Sequence, residues 1–365
     1  MAGSGRNCRQ GKGYCLPSPF LLNWMRKRRL KRRLGWGMPI KGGVLRLSTI
    51  YKSVRKDMDR VEEELKSVSR VDFPWLSELL DYSLGGGGKR MRPALTLLSG
   101  RFYNYNFDHL VLMATSVELM HAATLIHDDA IDNSSVRRGR ATVNKVWGED
   151  KAVLLGDYLF AKAGEYCADT QNLRAIKLFT QTLETISAGE LNQIFNAFNP
   201  KQSRQHYLKR ISDKTAALFT LATESGAILS QAPEEAVRAL RDYGYNLGIA
   251  FQIVDDILDF TSTEEEMGKP IGSDLAQGTL TLPAMLLLER QGENNPVAEL
   301  FRGGDKQKNI KLALETVCNS SIVDECYQVA SDYCAQACRS LSLLPDNPTR
   351  RTLAELADFV IRRKR

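Results

Sequence analysis

Leu125-Ile126-His127-Asp128-Asp129-Ala130-Ile131-Asp132 sets three carboxylates within about one helical turn at the end of a long apolar run. Ile253-Val254-Asp255-Asp256-Ile257-Leu258-Asp259 repeats the arrangement downstream. In a helix the first and last Asp of each DDxxD cluster share a face, and the second lies on its flank. Carboxylates this close repel one another, and apolar neighbours make that worse. A cation must offset the charge. An all-oxygen ligand set suits a hard cation such as Mg²⁺ better than zinc or copper. One cluster alone could be a solvated helix face; two, each on an otherwise apolar helix, point to metal-bridged phosphate.

Outward from the clusters the pattern is helical. Ile50, Val54, Met58, Val61, Leu65 and Val68 recur at spacings of four and three, an amphipathic helix. Phe73-Pro74 opens a second helix, and Gly85-Gly86-Gly87-Gly88 breaks the chain before Lys89. Asp108 to Asp132 and Pro233 to Phe260 are the helices that end in the clusters. Further helices are predicted over 149–169, 172–198, 203–211, 213–230, Leu280–Arg290, Ile322–Leu344 and Pro348–Arg363. Asn133–Arg140 and Thr263–Gly278 read as loops. No strand alternation and no 20–50-residue repeat is evident. The expectation is an all-α domain over residues 48–365, with the two Asp helices facing each other across a central cavity.

The chain has 365 residues, 43% of them hydrophobic, enough for one large core or two ordinary ones. Its formal charge of +7 is unevenly spread. Residues 1–56 hold 15 Lys/Arg and no acid, which leaves 35 basic against 43 acidic residues in the remainder. A globally basic nucleic-acid binder is therefore not indicated. Residues 1–47, with the run Arg26-Lys27-Arg28-Arg29-Leu30-Lys31-Arg32-Arg33, read as a disordered basic extension. Freedom from acids suits an organelle transit peptide, whereas the scarcity of Ser (Ser4 and Ser18) does not. A patch that touches anionic lipid or nucleic acid, and a true start at Met25 or Met38, stay open as alternatives. Seven Cys without metal-finger spacing read as buried small hydrophobes in a reducing, cytoplasmic setting; an organelle is the alternative if residues 1–47 are a transit peptide. No uninterrupted run reaches the roughly 18 apolar residues a membrane span needs.

Taken in order, several motifs resemble those of the trans-isoprenyl (polyprenyl) diphosphate synthases of long-chain type. They are Gly88-Lys89-Arg90-Met91-Arg92-Pro93, His121-Ala122-Ala123-Thr124 running into the first cluster, Arg137-Arg138-Gly139, Asp213-Lys214-Thr215-Ala216, Phe251-Gln252 running into the second cluster, and Gly268-Lys269-Pro270. Each motif is weak alone, but the ordered set is specific and matches from about residue 48 onward. The resemblance implies an isoprenoid synthase-type helical bundle, usually a homodimer, that condenses an allylic diphosphate with isopentenyl diphosphate. It implies two or three Mg²⁺ per site, held by Asp128, Asp132 and Asp255, with Asp129, Asp256 and Asp259 ligating directly or through water. Arg137, Lys214 and Lys269 would contact the allylic diphosphate. Gly88, Lys89, Arg92, His121 and Arg138 would hold isopentenyl diphosphate. Lys214, Thr215 and Gln252 would face the ionising carbon, Thr215 and Gln252 from within the allylic site.

The chemistry accounts for these residue types. An allylic C–O bond parts only when the charge growing on the diphosphate is neutralised, which metal clamps and cationic side chains do. Arg suits phosphate because its planar fork binds in bidentate fashion. Alone, Arg137-Arg138 in a polar loop would be solvated more often than not, and His121 on an apolar helix would be a core histidine. The position of His121, two turns before Asp128 on the same face, argues for the site. Glu190 and Gln193 could support the site from behind or be plain helix-surface polars. Residues four, five and eight before Asp128, namely Thr124, Ala123 and Met120, lie beneath the first cluster. With small Ala123 and modest Thr124 there, the growing tail would meet no aromatic floor, and a product beyond twenty carbons is expected. Two positions depart from the family pattern: Thr279 stands where many relatives carry Lys, and Asn133-Ser134-Ser135 where acids are common. A non-catalytic partner subunit and a terpene cyclase are the alternatives. The first usually loses a cluster or the phosphate-binding arginines; the second would not need Lys89, Arg92 and Arg138. No nucleic-acid partner is expected, and at most peripheral membrane contact for product release.

Overall fold

The computed structural model describes residues 47–263, 270–292 and 294–363. The basic run, Met25, Met38, Gly268 and Lys269 lie outside them. Short turns at Leu47–Ile50 and Tyr51–Val54 lead into α1 (Arg55–Ser67), and the stripe from Ile50 to Val68 is buried, as its spacing predicts. In α2 (Pro74–Leu84) the opening proline sits in the first turn, where its missing amide costs no helical bond. Every residue of α3 (Met91–Gly100) except Arg92 is buried. A helix covered on all sides has no polar face, so no periodicity in the sequence announces it.

Next comes α4 (Phe107–Ile131), which carries the first cluster at its end. By length and composition it could cross a membrane, but two thirds of its most apolar window, 67%, is buried inside the protein. Counting uninterrupted apolar residues misses this feature, because Asp108, Glu118 and His121 punctuate the helix. It is the central helix of a core. The expected loop after it instead closes as a minimal hairpin, β1 (Val136–Arg137) against β2 (Arg140–Ala141). Arg138 (φ 52°) and Gly139 (φ 74°) take the two left-handed positions of its turn.

α5 (Glu149–Ala168) and α6 (Leu173–Phe195) form an antiparallel pair outside α4, joined by the four residues 169–172. α7 (Arg204–Ile211) runs through a π-helical turn, Ser212–Ala216, into α8 (Ala217–Leu229). The second cluster ends α9 (Glu234–Thr261). α8 bridges α3 and α9, α5 covers α4, and the later α13 covers α9. Beyond a turn at Ser273–Ala276 come α10 (Leu282–Gln291), α11 (Pro296–Phe301), α12 (Lys306–Cys318), α13 (Ile322–Ser340) and α14 (Pro348–Ile361). Neither α11 nor α12 is among the predicted helices; α11 is only 6 residues long, and each starts at an Asn or Asp cap. The described residues are thus helical apart from loops and the two-residue hairpin, the all-α bundle that was expected. Cys167, Cys326 and Cys334 are buried as expected, but Cys318 is exposed and donates to the Phe260 carbonyl.

Candidate active site

The π-helical turn decides how the two acid-bearing helices meet. Its Lys214 Nζ lies 2.8 Å from Glu190 on α6 and 3.5 Å from Asp128 on α4. The next residue, Thr215, donates to Gln252 Oε1 on α9 at 2.6 Å. Consecutive side chains therefore touch both walls. Such widened turns occur mostly where a helix must re-aim its side chains at a functional site. Two glycines let the turn lie so close. A Cβ on Gly189 of α6 would stand 2.7 Å from Asp213 Cβ, and one on Gly248 of α9 would stand 2.6 Å from Ala216 Cα. A second link runs through the loop after α9. Asp259 accepts from Ser273 Oγ at 3.0 Å and from the Asp274 amide at 3.2 Å, and Gln277 hydrogen-bonds to Asp132.

The six acids have different surroundings. Asp128 and Asp255 are partly open, with side chains 18% and 33% exposed, and each faces a cation: Lys214 for the first, Arg363 at 2.6 Å for the second. Asp132 is half-buried, and burial raises its carboxyl above the ordinary range, against the pull of Lys214. Asp129 is buried and accepts from Arg137 Nε at 2.8 Å on both oxygens. Burial lifts its pKa and Arg137 draws it back, with a net rise. Asp256 is 2% exposed, with one oxygen taken by Tyr207 Oη and the other by Gln252 Nε2, each at 2.8 Å. Burial first, then Asp274, pushes it up to about 7. Asp259 is buried likewise under the Ser273 turn. Two of the acids that the resemblance assigns to metal, Asp256 and Asp259, thus accept hydrogen bonds from the protein's own buried or loop groups.

Lys214 is buried enough that desolvation lowers its pKa, but Asp128, Glu190 and Asp132 outweigh this and hold it charged. Glu190, which the sequence left undecided between site and surface, is 13% exposed on this lysine. Gln193 reaches Glu190 at 3.5 Å.

The residues expected to hold isopentenyl diphosphate gather where the start of α3 meets the later turns of α4. His121 is pushed well below its ordinary 6.5 by burial and then by Arg92, Arg138, Arg137 and Arg90, so its imidazole is neutral near pH 7. Arg92 lies 4.8 Å over the Phe219 ring, and its Nε is buried with no partner among the described residues. Burial lowers Arg92 to about 10, against the pull of Glu118 and Asp255. Arg138 donates to the Gly87 carbonyl, and a Cβ on Gly88 would meet its guanidinium at 3.1 Å. The tetraglycine thus lets an arginine in close. Lys89 is exposed, and its carbonyl accepts from Tyr51 Oη at 3.0 Å. Arg90, between them, is no open cation. It takes a left-handed φ of 47° and bonds Glu62 at 2.6 Å and Glu118 at 2.7 Å. A cleft of about 720 Å³ takes in Gly87, His121, Asp129, Arg137 and Arg138.

Of the chain-length candidates, Ala123 and Met120 are fully buried and Thr124 is half-buried. Ser116 and His127 bracket Ala123 on one stripe of α4, and both touch α5: Ser116 Oγ the Ala163 carbonyl at 2.7 Å, His127 Nε2 the Val153 carbonyl at 2.9 Å. Ala123 is therefore set toward α5, while Thr124 shares the face of Asp128. Tyr207 and Arg363 had escaped the sequence reading. Neither carries a local signal, since each reaches its acid from a helix or segment remote in the chain.

Among the described residues no three acids, His or Cys converge into a ready metal cage. The acids that stay accessible, Asp128, Asp132 and Asp255, offer oxygen ligands alone, a donor set that suits a hard cation such as Mg²⁺ with its waters and phosphate oxygens. The polyprenyl synthetase family model matches residues 73–317. Heptaprenyl diphosphate synthase component 2 of Bacillus subtilis (strain 168) is 36% identical over 320 residues, 88% of this chain and 92% of the relative. The octaprenyl diphosphate synthase of Haemophilus influenzae is 33% identical, over 87% of this chain and 97% of its own. A solved polyprenyl synthase from Caulobacter crescentus CB15, complexed with calcium and isoprenyl diphosphate, superposes with a TM-score of 0.85 at 34% identity, covering 90% of this chain and all (100%) of that one. Matches of that length and identity establish kinship: this chain belongs to the polyprenyl synthetase family, enzymes that transfer prenyl groups.

Proposed function

We propose that this chain condenses an allylic diphosphate with successive isopentenyl diphosphate units to make a long, all-trans polyprenyl diphosphate. The observation that carries this reading is the Lys214–Thr215 pair, whose neighbouring side chains touch the two acid-bearing helices at once. A diphosphate held there would lie between Asp128 and Asp255, neither of them fully buried. Bound at Asp128, Asp132 and Asp255, two or three Mg²⁺ would supply the positive charge a departing diphosphate needs.

This chain's own residues do the rest. Lys214 stays charged beside the leaving group, and Arg137 is steadied by Asp129 for the same anion. The allylic C–O bond breaks with its electron pair on the diphosphate. The double bond of isopentenyl diphosphate then attacks the allylic carbon, and a proton leaves the new adduct, for which released diphosphate is an available base. Arg92, with its unpartnered Nε, and Arg138 suit the second diphosphate. Neutral His121 adds a hydrogen-bonding group without another charge. This cationic set favours the reading over a terpene cyclase, which takes up no second diphosphate. The relatives named heptaprenyl and octaprenyl synthases support a long product.

A self-paired dimer fits the surface. Leu154 on α5 and Leu191, Ile194 and Phe195 on α6 are exposed, Phe195 by 85%, where the two helices leave the bundle side by side. The test combines purified protein, Mg²⁺, labelled isopentenyl diphosphate and a fifteen-carbon allylic primer, and sizes the dephosphorylated products. Products longer than twenty carbons are expected, and turnover should fall by about a thousandfold or more in Asp128→Ala combined with Asp255→Ala. Retained turnover in that double variant overturns the reading.

A further inference from the structure

From the buried contacts behind the site we infer that Tyr207 is a positioning residue that holds Asp256 at the head of a hydrogen-bond chain ending at Thr215. This rests on the proposed reaction. Tyr207 is 1% exposed on α7 and bonds Asp256 Oδ2 at 2.8 Å. Gln252 Nε2 bonds Asp256 Oδ1 at 2.8 Å, and Thr215 Oγ1 bonds Gln252 Oε1 at 2.6 Å. α7 itself is pinned, because Arg210 donates to the Leu280 carbonyl at 2.7 Å and to Gln202 at 3.1 Å.

The direction of the chain follows from what each group can give. A tyrosine hydroxyl has one proton to donate, and Asp256 receives it. In its ionised form Asp256 only accepts, and Gln252 accordingly turns its NH₂ toward Asp256 and its oxygen toward Thr215. Thr215 has a single O–H, which Gln252 takes. Every proton in the series therefore points inward, toward Asp256. What remains on Thr215 for the cleft is oxygen lone pairs. An allyl cation is stabilised by lone pairs and repelled by an O–H pointing at it, so the reverse polarity would oppose ionisation. Lys214, the neighbour of Thr215, attends to the anion while Thr215 attends to the cation.

Tyr207→Phe keeps the ring and removes only the hydroxyl. Its kcat should fall by about tenfold, with KM for both diphosphates within about twofold of wild type. In a Thr215→Val background the same change should cost almost nothing further, because the group it orients is gone. A merely structural tyrosine would instead add its full loss in both backgrounds, and that result overturns the inference. A crystal structure of Tyr207→Phe decides the matter without turnover. The Asp256 carboxylate or the Gln252 amide should move off the wild-type arrangement; an unchanged Thr215–Gln252–Asp256 series sinks the proposal. Inactive wild-type protein would count against the reaction alone, and the crystallographic result would still judge the hydrogen-bond chain.

Discussion

His121 shows how a single side chain can be committed by its neighbours. Its folded-state pKa is depressed by burial and by the arginines around it, while the unfolded chain titrates near the ordinary 6.5. The unfolded state therefore binds more protons below that pH, and this histidine's share of stability is lost as pH falls through 6.5. Wild type should lose more stability than His121→Gln between pH 7.5 and pH 5.5, measured as urea midpoints at constant salt. Equal losses would refute the assignment. Ala123 makes a different point. It is fully buried on the stripe that meets α5, so Ala123→Phe should cost about 1–3 kcal/mol through overpacking. The same ring should narrow the space beneath the first cluster and shorten the product, visible by chromatography of the dephosphorylated chains. An unchanged product length together with full stability would exclude both effects. Between Asp128 and Asp256 the lesson is starker, because equivalent letters in similar motifs carry unlike roles. One is half-open beside a lysine, the other sealed between a tyrosine and a glutamine.

At the scale of elements, the site depends on helices packed closely enough to press a π-helical turn between them. Gly248 allows that on the α9 side, where a Cβ would sit 2.6 Å from the backbone of Ala216. Backbone cannot swing away as a flexible side chain can. Gly248→Ala should shift Lys214 and Thr215, cost about 2–3 kcal/mol and lower kcat about tenfold or more. Gly164 on α5 supplies the contrast. Its nearest neighbour to a new Cβ is Phe179, at 4.0 Å. Gly164→Ala should therefore stabilise α5 by about 0.5–1 kcal/mol with activity intact. Thermal melts and steady-state rates on both variants check the pair, and matching behaviour would undo the close-packing argument. The helices that a sequence pattern reveals least, α3 and the six-residue α11, include the one that carries Arg92 into the site. Complete burial erases periodicity, and brevity leaves too few turns to count.

At the scale of the molecule, α4 and α9 are placed by the hydrophobic core and finished by acids at one end. Burying a long apolar helix such as α4 organises the bundle, while the charge at its tip is tolerated only because cations and the cleft meet it there. In the proposed dimer, the exposed apolar residues of α5 and α6 would meet their copies in the second chain. Phe195→Glu should convert a dimer into monomers in sedimentation velocity and lower turnover at nanomolar protein. Wild type that sediments as a monomer and is silent alone would favour a two-part assembly, as the name of the Bacillus relative describes for that protein.

The order of the motifs and the three-four periodicity of the helices suffice to place this chain in an all-α family and to name its acids and cations. Both are local properties, written within a few turns of one helix. Which carboxylates stay open, why Arg90 is spent on Glu62 and Glu118, and how Tyr207 and Arg363 come to touch acids far along the chain depend on packing. Those pairings join segments remote in sequence, and their distances are fixed by helix-to-helix contact rather than by spacing along the backbone.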